Sequence, residues 1–157
     1  MSAMTNWLEN KLVDWFFRGQ ALGVTGASAG AGSGPTNLYF ALFTAAPSDT
    51  GGGTEVSGGA YQRVNVAAST TNFDNTQQAN TTAVSSGTTG TTRNNIGITF
   101  PAPSGANWGT ITHFAIFDAS TTGNMLFWGA LTASKVVNDG DAAPTFALNA
   151  FSLQLDN

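Results

Sequence analysis

The chain's one imidazole belongs to His113, in the run Thr110-Ile111-Thr112-His113-Phe114-Ala115-Ile116-Phe117. Imidazole suits general-base work when a nucleophile and an oriented carboxylate stand beside it. No Gly-x-Ser-x-Gly elbow supplies the nucleophile, and apolar neighbours place His113 within a strand. A histidine satisfied inside a sheet is the expected state. The carboxylates Asp49, Glu55, Asp74, Asp118, Asp139, Asp141 and Asp156 fall mostly in loops, where aspartate is a common turn former. Glycoside hydrolysis needs two convergent carboxyls, and no pair stands out. Asp139-Gly140-Asp141 offers oxygens of the kind a loose calcium site uses, but a turn is the stronger reading. One histidine and no cysteine exclude the usual zinc ligand sets. No catalytic residue, cofactor or metal site is therefore expected.

Other candidate motifs are bland on inspection. The glycine-rich stretch 19–34 has no Gly-Lys-Ser/Thr ending and no strand before it, so it is not a phosphate loop. Asn80-Thr81-Thr82 is a glycosylation sequon, meaningful only in a secreted eukaryotic protein. Trp108 and Trp128 could serve as sugar-stacking platforms. Their apolar neighbours on alternating strands make core packing the better expectation for both.

Composition narrows the class further. Of 157 residues only 9% are charged, against about 25% in an average soluble domain. Gly, Ala, Ser, Thr and Asn fill the gap. So few charges give a free monomer little protection against association, which favours life inside an assembly. A net charge of −4 and five scattered basic residues argue against a nucleic-acid surface. No segment reaches the roughly 20 apolar residues of a membrane span, and the N-terminal run reads as no signal peptide. The absence of cysteine suits assembly in a reducing cytoplasm.

The elements follow from periodicity. Residues 6–18 read as an amphipathic helix, with Asn6 as N-cap, Glu9 three positions on, and Gly19 as the stop. Leu8, Leu12, Trp15 and Phe16 share one face, with Trp7 beside it. So many large apolar groups need a cover. It is either the domain's own core or a neighbouring subunit, and Trp7, Leu8, Leu12, Trp15 and Phe16 are the expected docking residues. In the second case the helix is an arm whose removal leaves the β domain folded. Residues 20–35 form a Gly/Ala/Ser linker.

Strands are expected at 38–43, 61–68, 96–100, 108–117 and 124–133, with a last one through Phe151, Leu153 and Leu155. A turn at 118–123 makes the pair around it an antiparallel hairpin. Val136 and Val137 lead into a turn at 138–141. Residues 69–94 are almost all Thr, Asn, Ser, Gln and Gly, and read as a long surface excursion with at most one irregular strand near Phe73. The expected fold is all-β: an antiparallel, jelly-roll-like β-sandwich with an N-terminal amphipathic helix and long polar loops. Its parts are a helical arm at 1–19, the linker at 20–35 and a β domain at 36–157.

Four stretches carry a resemblance. They are Asn6-Trp7-Leu8-Glu9-Asn10-Lys11-Leu12-Val13-Asp14; Leu38-Tyr39-Phe40-Ala41-Leu42-Phe43-Thr44-Ala45-Ala46-Pro47; Glu55-Val56-Ser57-Gly58-Gly59-Ala60-Tyr61-Gln62-Arg63; and Trp108-Gly109-Thr110 through His113-Phe114-Ala115-Ile116-Phe117-Asp118 to Phe127-Trp128-Gly129-Ala130-Leu131. In this order the chain resembles small virion proteins of tailed bacteriophages, usually labelled tail-fibre-like, some of whose relatives sit on heads. Segments 20–34 and 69–94 lie outside the match and read as insertions. The resemblance implies a non-enzymatic protein of the virion surface, assembled in the bacterial cytoplasm. The first reading is a capsid decoration or cement protein that bridges the major capsid protein and copies of itself. The alternative is a tail-fibre or tail-tip component that touches other tail proteins and a host surface receptor.

Overall fold

The computed structural model describes residues 4–23, 34–79 and 81–155. Most of the expected linker, Asn80 of the sequon, and Asp156 lie outside these residues. The described chain runs α1 (Asn6–Phe17), β1 (Asn37–Ala45), β2 (Thr54–Glu55), β3 (Val64–Ala67), β4 (Thr91–Arg93), β5 (Ile98–Thr99), β6 (Gly109–Phe117), β7 (Met125–Val137), β8 (Thr145–Phe146) and β9 (Ser152–Gln154). It is an all-β, antiparallel fold with one N-terminal helix, in keeping with the expected sandwich. Two compact units emerge. One gathers Met1–Thr36, Ala67–Ile98 and Phe146–Asn157, the other Asn37–Val66 and Thr99–Thr145.

The second unit is built on one sheet, ordered β2-β1-β6-β7 with β3 also on β1. β1 is central because both of its faces are apolar, so that Leu38, Phe40, Ala41, Leu42 and Phe43 are all buried. It pairs antiparallel with β6 in the register Tyr39↔Phe117, Ala41↔Ala115, Phe43↔His113. Alternation then sets the faces. Ala41, Phe43, Ala115 and Phe117 form one packed cluster, flanked by Tyr39 and Met125. β6 and β7 make the expected hairpin, but β7 runs on to include Val136 and Val137, where the sequence reading ends the strand early. Its register with β6 jumps from Ile111↔Lys135 to His113↔Ala130, so a bulge in β7 lets the strand continue. Among the described residues β7 is a sheet edge. Consequently Trp128 is 40% exposed and not a core residue, whereas Trp108 is buried as expected. Gly59 must lack a side chain here: its φ is +54° and a Cβ would lie 2.8 Å from the Trp108 indole nitrogen, which donates to the Gly59 carbonyl.

In the first unit the helix begins one residue earlier than expected at its cap. Thr5, not Asn6, is the N-cap, its Oγ1 accepting from the Leu8 N–H. Gly19, at φ +65°, closes the other end, and Gln20 N–H returns to the Asp14 carbonyl at 2.9 Å. The buried side of α1 is not the apolar row. Glu9, Asn10, Val13, Asp14 and Phe17 are buried, while Leu8, Leu12, Trp15 and Phe16 are half-buried and Trp7 is 53% exposed.

What the polar side of the helix meets is the 69–94 segment. That segment is no simple surface excursion, because Phe73, Asp74, Asn75, Thr76, Ser85, Thr92 and Asn94 are buried in it. Asp14 accepts from Ser85 N–H at 2.8 Å and from Ser85 Oγ at 2.5 Å. It also forms a buried ion pair with Arg18. Arg18 in turn donates to the carbonyls of Thr81 and Ala83, each at 2.7 Å. Asn10 donates to the Gly87 carbonyl at 3.0 Å and accepts from Thr76 Oγ1. The unexpected strand β4 pairs with β9 in the same unit, and Phe17 meets Phe73 edge to face at 5.3 Å. Helix and excursion thus form one polar-cored body. Excising residues 1–18 would remove Asp14, Arg18 and Asn10 from these contacts.

Asp14→Ala leaves Arg18 a buried, unpaired cation and removes the acceptor of Ser85. The expected loss is about 3–5 kcal/mol, read by urea unfolding. Faster amide exchange across 76–87 should accompany it. A loss below about 1 kcal/mol would show that the pair does not hold this unit.

Candidate functional site: a polar cleft beside a clamped arginine

The residues weighed for chemistry in the sequence stand apart from one another. His113 is half-buried in β6, with Nδ1 2.8 Å from Thr112 Oγ1 and its ring 6.2 Å from that of Trp128. Asp139 accepts from Gly105 N–H at 2.8 Å, and Asp141 from Asn138 N–H at 2.7 Å, so both act as turn-forming caps. Among the described residues, no group of three or more His, Cys, Asp or Glu side chains is placed to hold a metal ion. Trp7, Leu8, Leu12, Trp15 and Phe16 stand together on α1, and Trp15 and Phe16 meet edge to face at 4.5 Å.

A different constellation does assemble, within the stretch from Glu55 to Arg63. β2 delivers Glu55 opposite Phe43 of β1. The chain then turns through Gly58 and Gly59, both at positive φ, and returns Tyr61 and Arg63 to the same place. Arg63 grips Glu55 with both arms of its fork: Nε donates to Oε1 at 2.8 Å and Nη2 to Oε2 at 2.7 Å. Its remaining arm, Nη1, donates to the carbonyls of Ala119 at 3.0 Å and Thr122 at 2.7 Å. The guanidinium carbon lies 3.5 Å from the centre of the Phe117 ring. Arg63 therefore ties β2, β6 and the 118–124 turn together. Tyr61 completes the group, accepting from Leu42 N–H at 2.9 Å and donating to Glu55 Oε1 at 3.1 Å.

Two open clefts share this ion pair in their linings. One, of about 600 Å³, is lined by Glu55, Ser57, Tyr61, Gln62, Arg63 and the hydroxyls of Ser120, Thr121 and Thr122. The other, of about 340 Å³, is lined by Phe43, Phe117, Met125, the 51–53 glycines and the same ion pair. Asp118 anchors the shared turn: its carboxylate accepts from the side-chain amide and the backbone N–H of Asn124, each at 2.7 Å. The amide first, then the backbone N–H, hold its pKa below the ordinary aspartate value. In the sequence these residues are a stretch of family resemblance, with Glu55 one carboxylate among several and 61–68 an expected strand. A short acidic-to-basic spacing across two glycines was the one available signal.

Burial above all pushes the Tyr61 phenol well above the usual tyrosine range; the Leu42 N–H opposes this, and the Glu55 carboxylate adds to it. The folded protein thus holds a proton that the unfolded chain releases near pH 10. Its stabilising contribution is complete below that pH and declines as pH rises towards the folded value. Tyr61→Phe should cost about 1–3 kcal/mol at pH 8, mainly by leaving Leu42 N–H without its acceptor. The wild-type advantage should narrow between pH 10 and 11.5 in matched denaturant titrations. An advantage that stays constant over that range contradicts the assignment.

No curated protein sequence matches the chain. A family model described as podophage GP4 fiber I protein gp80 matches residues 3–154, a span that includes the helix, the polar excursion and the Glu55 to Arg63 stretch. With nearly its whole length inside that match, the chain belongs to the podophage GP4 fiber I protein gp80 family, and is a fibre-type virion protein of a tailed bacteriophage.

Proposed function

We propose that this chain is a non-enzymatic component of the tail fibre or tail tip, taking part in host attachment. The fibre description of its family is the observation that carries this reading, and it favours the tail over decoration of the head. Its partners are other tail proteins, copies of itself and a host surface receptor. The low charge, with 9% charged residues, fits a protein whose surface is largely engaged by neighbours in the particle.

The inverted packing of α1 supports a docking role for the helix. Polar groups face the unit, and Trp7 with its neighbours Leu8 and Leu12 is left outward or half-covered. An exposed tryptophan beside leucines is the composition of an interface anchor, not of a solvated face. The apolar row then docks this chain onto an adjacent tail protein.

Two measurements test this. Immunogold labelling and densitometry of purified virions should place a handful of copies at the tail; hundreds of copies on the head would overturn the reading. A Trp7→Ala/Leu8→Ala double variant should keep its circular dichroism and melting temperature. Loss of an anchor worth about 2 kcal/mol corresponds to about 30-fold weaker incorporation into particles. Incorporation at the wild-type level would remove the helix from the interface.

A further inference from the structure

We infer that a second copy of this chain pairs with the outer edge of β7, strand against strand, about a two-fold axis at Gly129. The pairing goes beyond the tail reading above and does not depend on it.

A few hydrogen bonds fix the direction of each backbone group across the sheet. The Leu42 carbonyl accepts from Val56 N–H at 2.9 Å, and the Leu42 N–H donates to the Tyr61 hydroxyl at 2.9 Å. Both Leu42 groups therefore point away from β6. Direction alternates along a strand, so Ala41 and Phe43 turn theirs towards β6, where Ala115 and His113 stand opposite. Phe114 and Ile116 then turn to β7 and face Gly129 and Phe127. It follows that Trp128 and Ala130 aim their N–H and C=O groups out of the sheet. Among the described residues no strand pairs with β7 on that side.

The regular stretch is short. The β6–β7 register is irregular between Ile116 and Phe117 and again between Ile111 and His113. These bulges bracket Phe127–Ala130, and bulges discourage pairing where they occur. Only one two-fold register uses both outward residues. It places Gly129 opposite itself, Trp128 opposite Ala130 of the second copy, and Ala130 opposite the second Trp128. Each of those two facing pairs exchanges its N–H and C=O groups.

Side chains fit the same register. Trp128 is 40% exposed and Ala130 is exposed beside it. A large ring directly across from a methyl group finds room to lie over it, and aromatic side chains are favoured anchors at the centre of an interface.

Charge identifies the occupant. A two-fold axis sets each group near its own copy, so a charged edge would repel itself. Residues 119–134 contain no charged residue and no proline, the usual devices that blunt an edge. A Trp-Gly-Ala run with this backbone direction is complementary to itself. The isologous contact consumes the edge, giving a closed pair and not an open fibre.

The test uses the purified full chain in solution. Sedimentation equilibrium should show single chains giving way to pairs as concentration rises. Ala130→Pro removes an outward N–H at an edge position that proline tolerates. Symmetry makes that two bonds per pair, so association should weaken about tenfold or more, with a melting temperature near that of wild type. The register has a separate readout, because the chain has no cysteine of its own. Trp128 and the facing Ala130 should have Cα atoms about 5.5 Å apart, within disulfide reach. Oxidising a mixture of Trp128→Cys and Ala130→Cys chains should join one of each kind, while either variant alone stays unlinked. The Trp7→Ala/Leu8→Ala variant should pair as wild type does, which separates this edge from the helix. A chain that is single at every concentration, an assembly of three, pairing unaffected by Ala130→Pro, or equal cross-linking in either cysteine variant alone would each overturn the inference.

Discussion

The structure depends on its arginines, each closed on a carboxylate and on loop carbonyls. Arg18 pairs with Asp14 and gathers Thr81 and Ala83; Arg63 pairs with Glu55 and gathers Ala119 and Thr122; Arg93 pairs with Asp74 and takes the Gln78 carbonyl at 3.0 Å. The chain has long segments with almost nothing apolar to bury, so the hydrophobic effect alone cannot order them. Charge-assisted hydrogen bonds to backbone oxygens do that work instead, and a guanidinium is suited to it because one planar group serves several acceptors. The sparse charge of this chain is therefore concentrated at joints between irregular loops and regular elements.

One consequence is a helix packed on its polar side. Amphipathic logic assigns the apolar row of a helix to the core, and Leu8, Leu12, Trp15 and Phe16 look like that row. The competing partner is the 69–94 segment, which offers hydroxyls, amides and carbonyls but few side chains to cover an apolar stripe. Asn10 and Asp14 match it, Val13 is buried, and Phe17 meets the buried Phe73. Periodicity reports where apolar residues recur; it carries no information about which surface they face. For the same reason β4 was invisible in the sequence, since Thr91, Thr92 and Arg93 have no apolar alternation to betray a strand.

The legible parts were those where burial imposes period two. β1, β6 and the hairpin to β7 follow directly from the runs around Phe40, Ile116 and Phe127. Trp128 was misplaced because its alternation is sound but its strand is an edge, and edge position is a property of topology. The cleft left almost no trace in the sequence beyond an acidic-to-basic spacing across two glycines. Glu55, Tyr61 and Arg63 are ordinary residues in a loop-rich stretch, and only the strand pairing of Glu55 with Phe43 and the turn at Gly58 and Gly59 makes them one group.

The same clamping that orders the loops also decides what kind of chemistry the surface can offer. Catalysis by acid, base or nucleophile needs a group whose proton or lone pair is poised to move. Here the best-placed ionisable groups are spent on one another: Arg63 is held by Glu55, and the Tyr61 proton is held by burial and by Glu55. A wall whose charges are mutually satisfied is poor at transferring protons but good at keeping its shape. The arginine joints thus lead from a composition with few charges to irregular loops that are held in one shape.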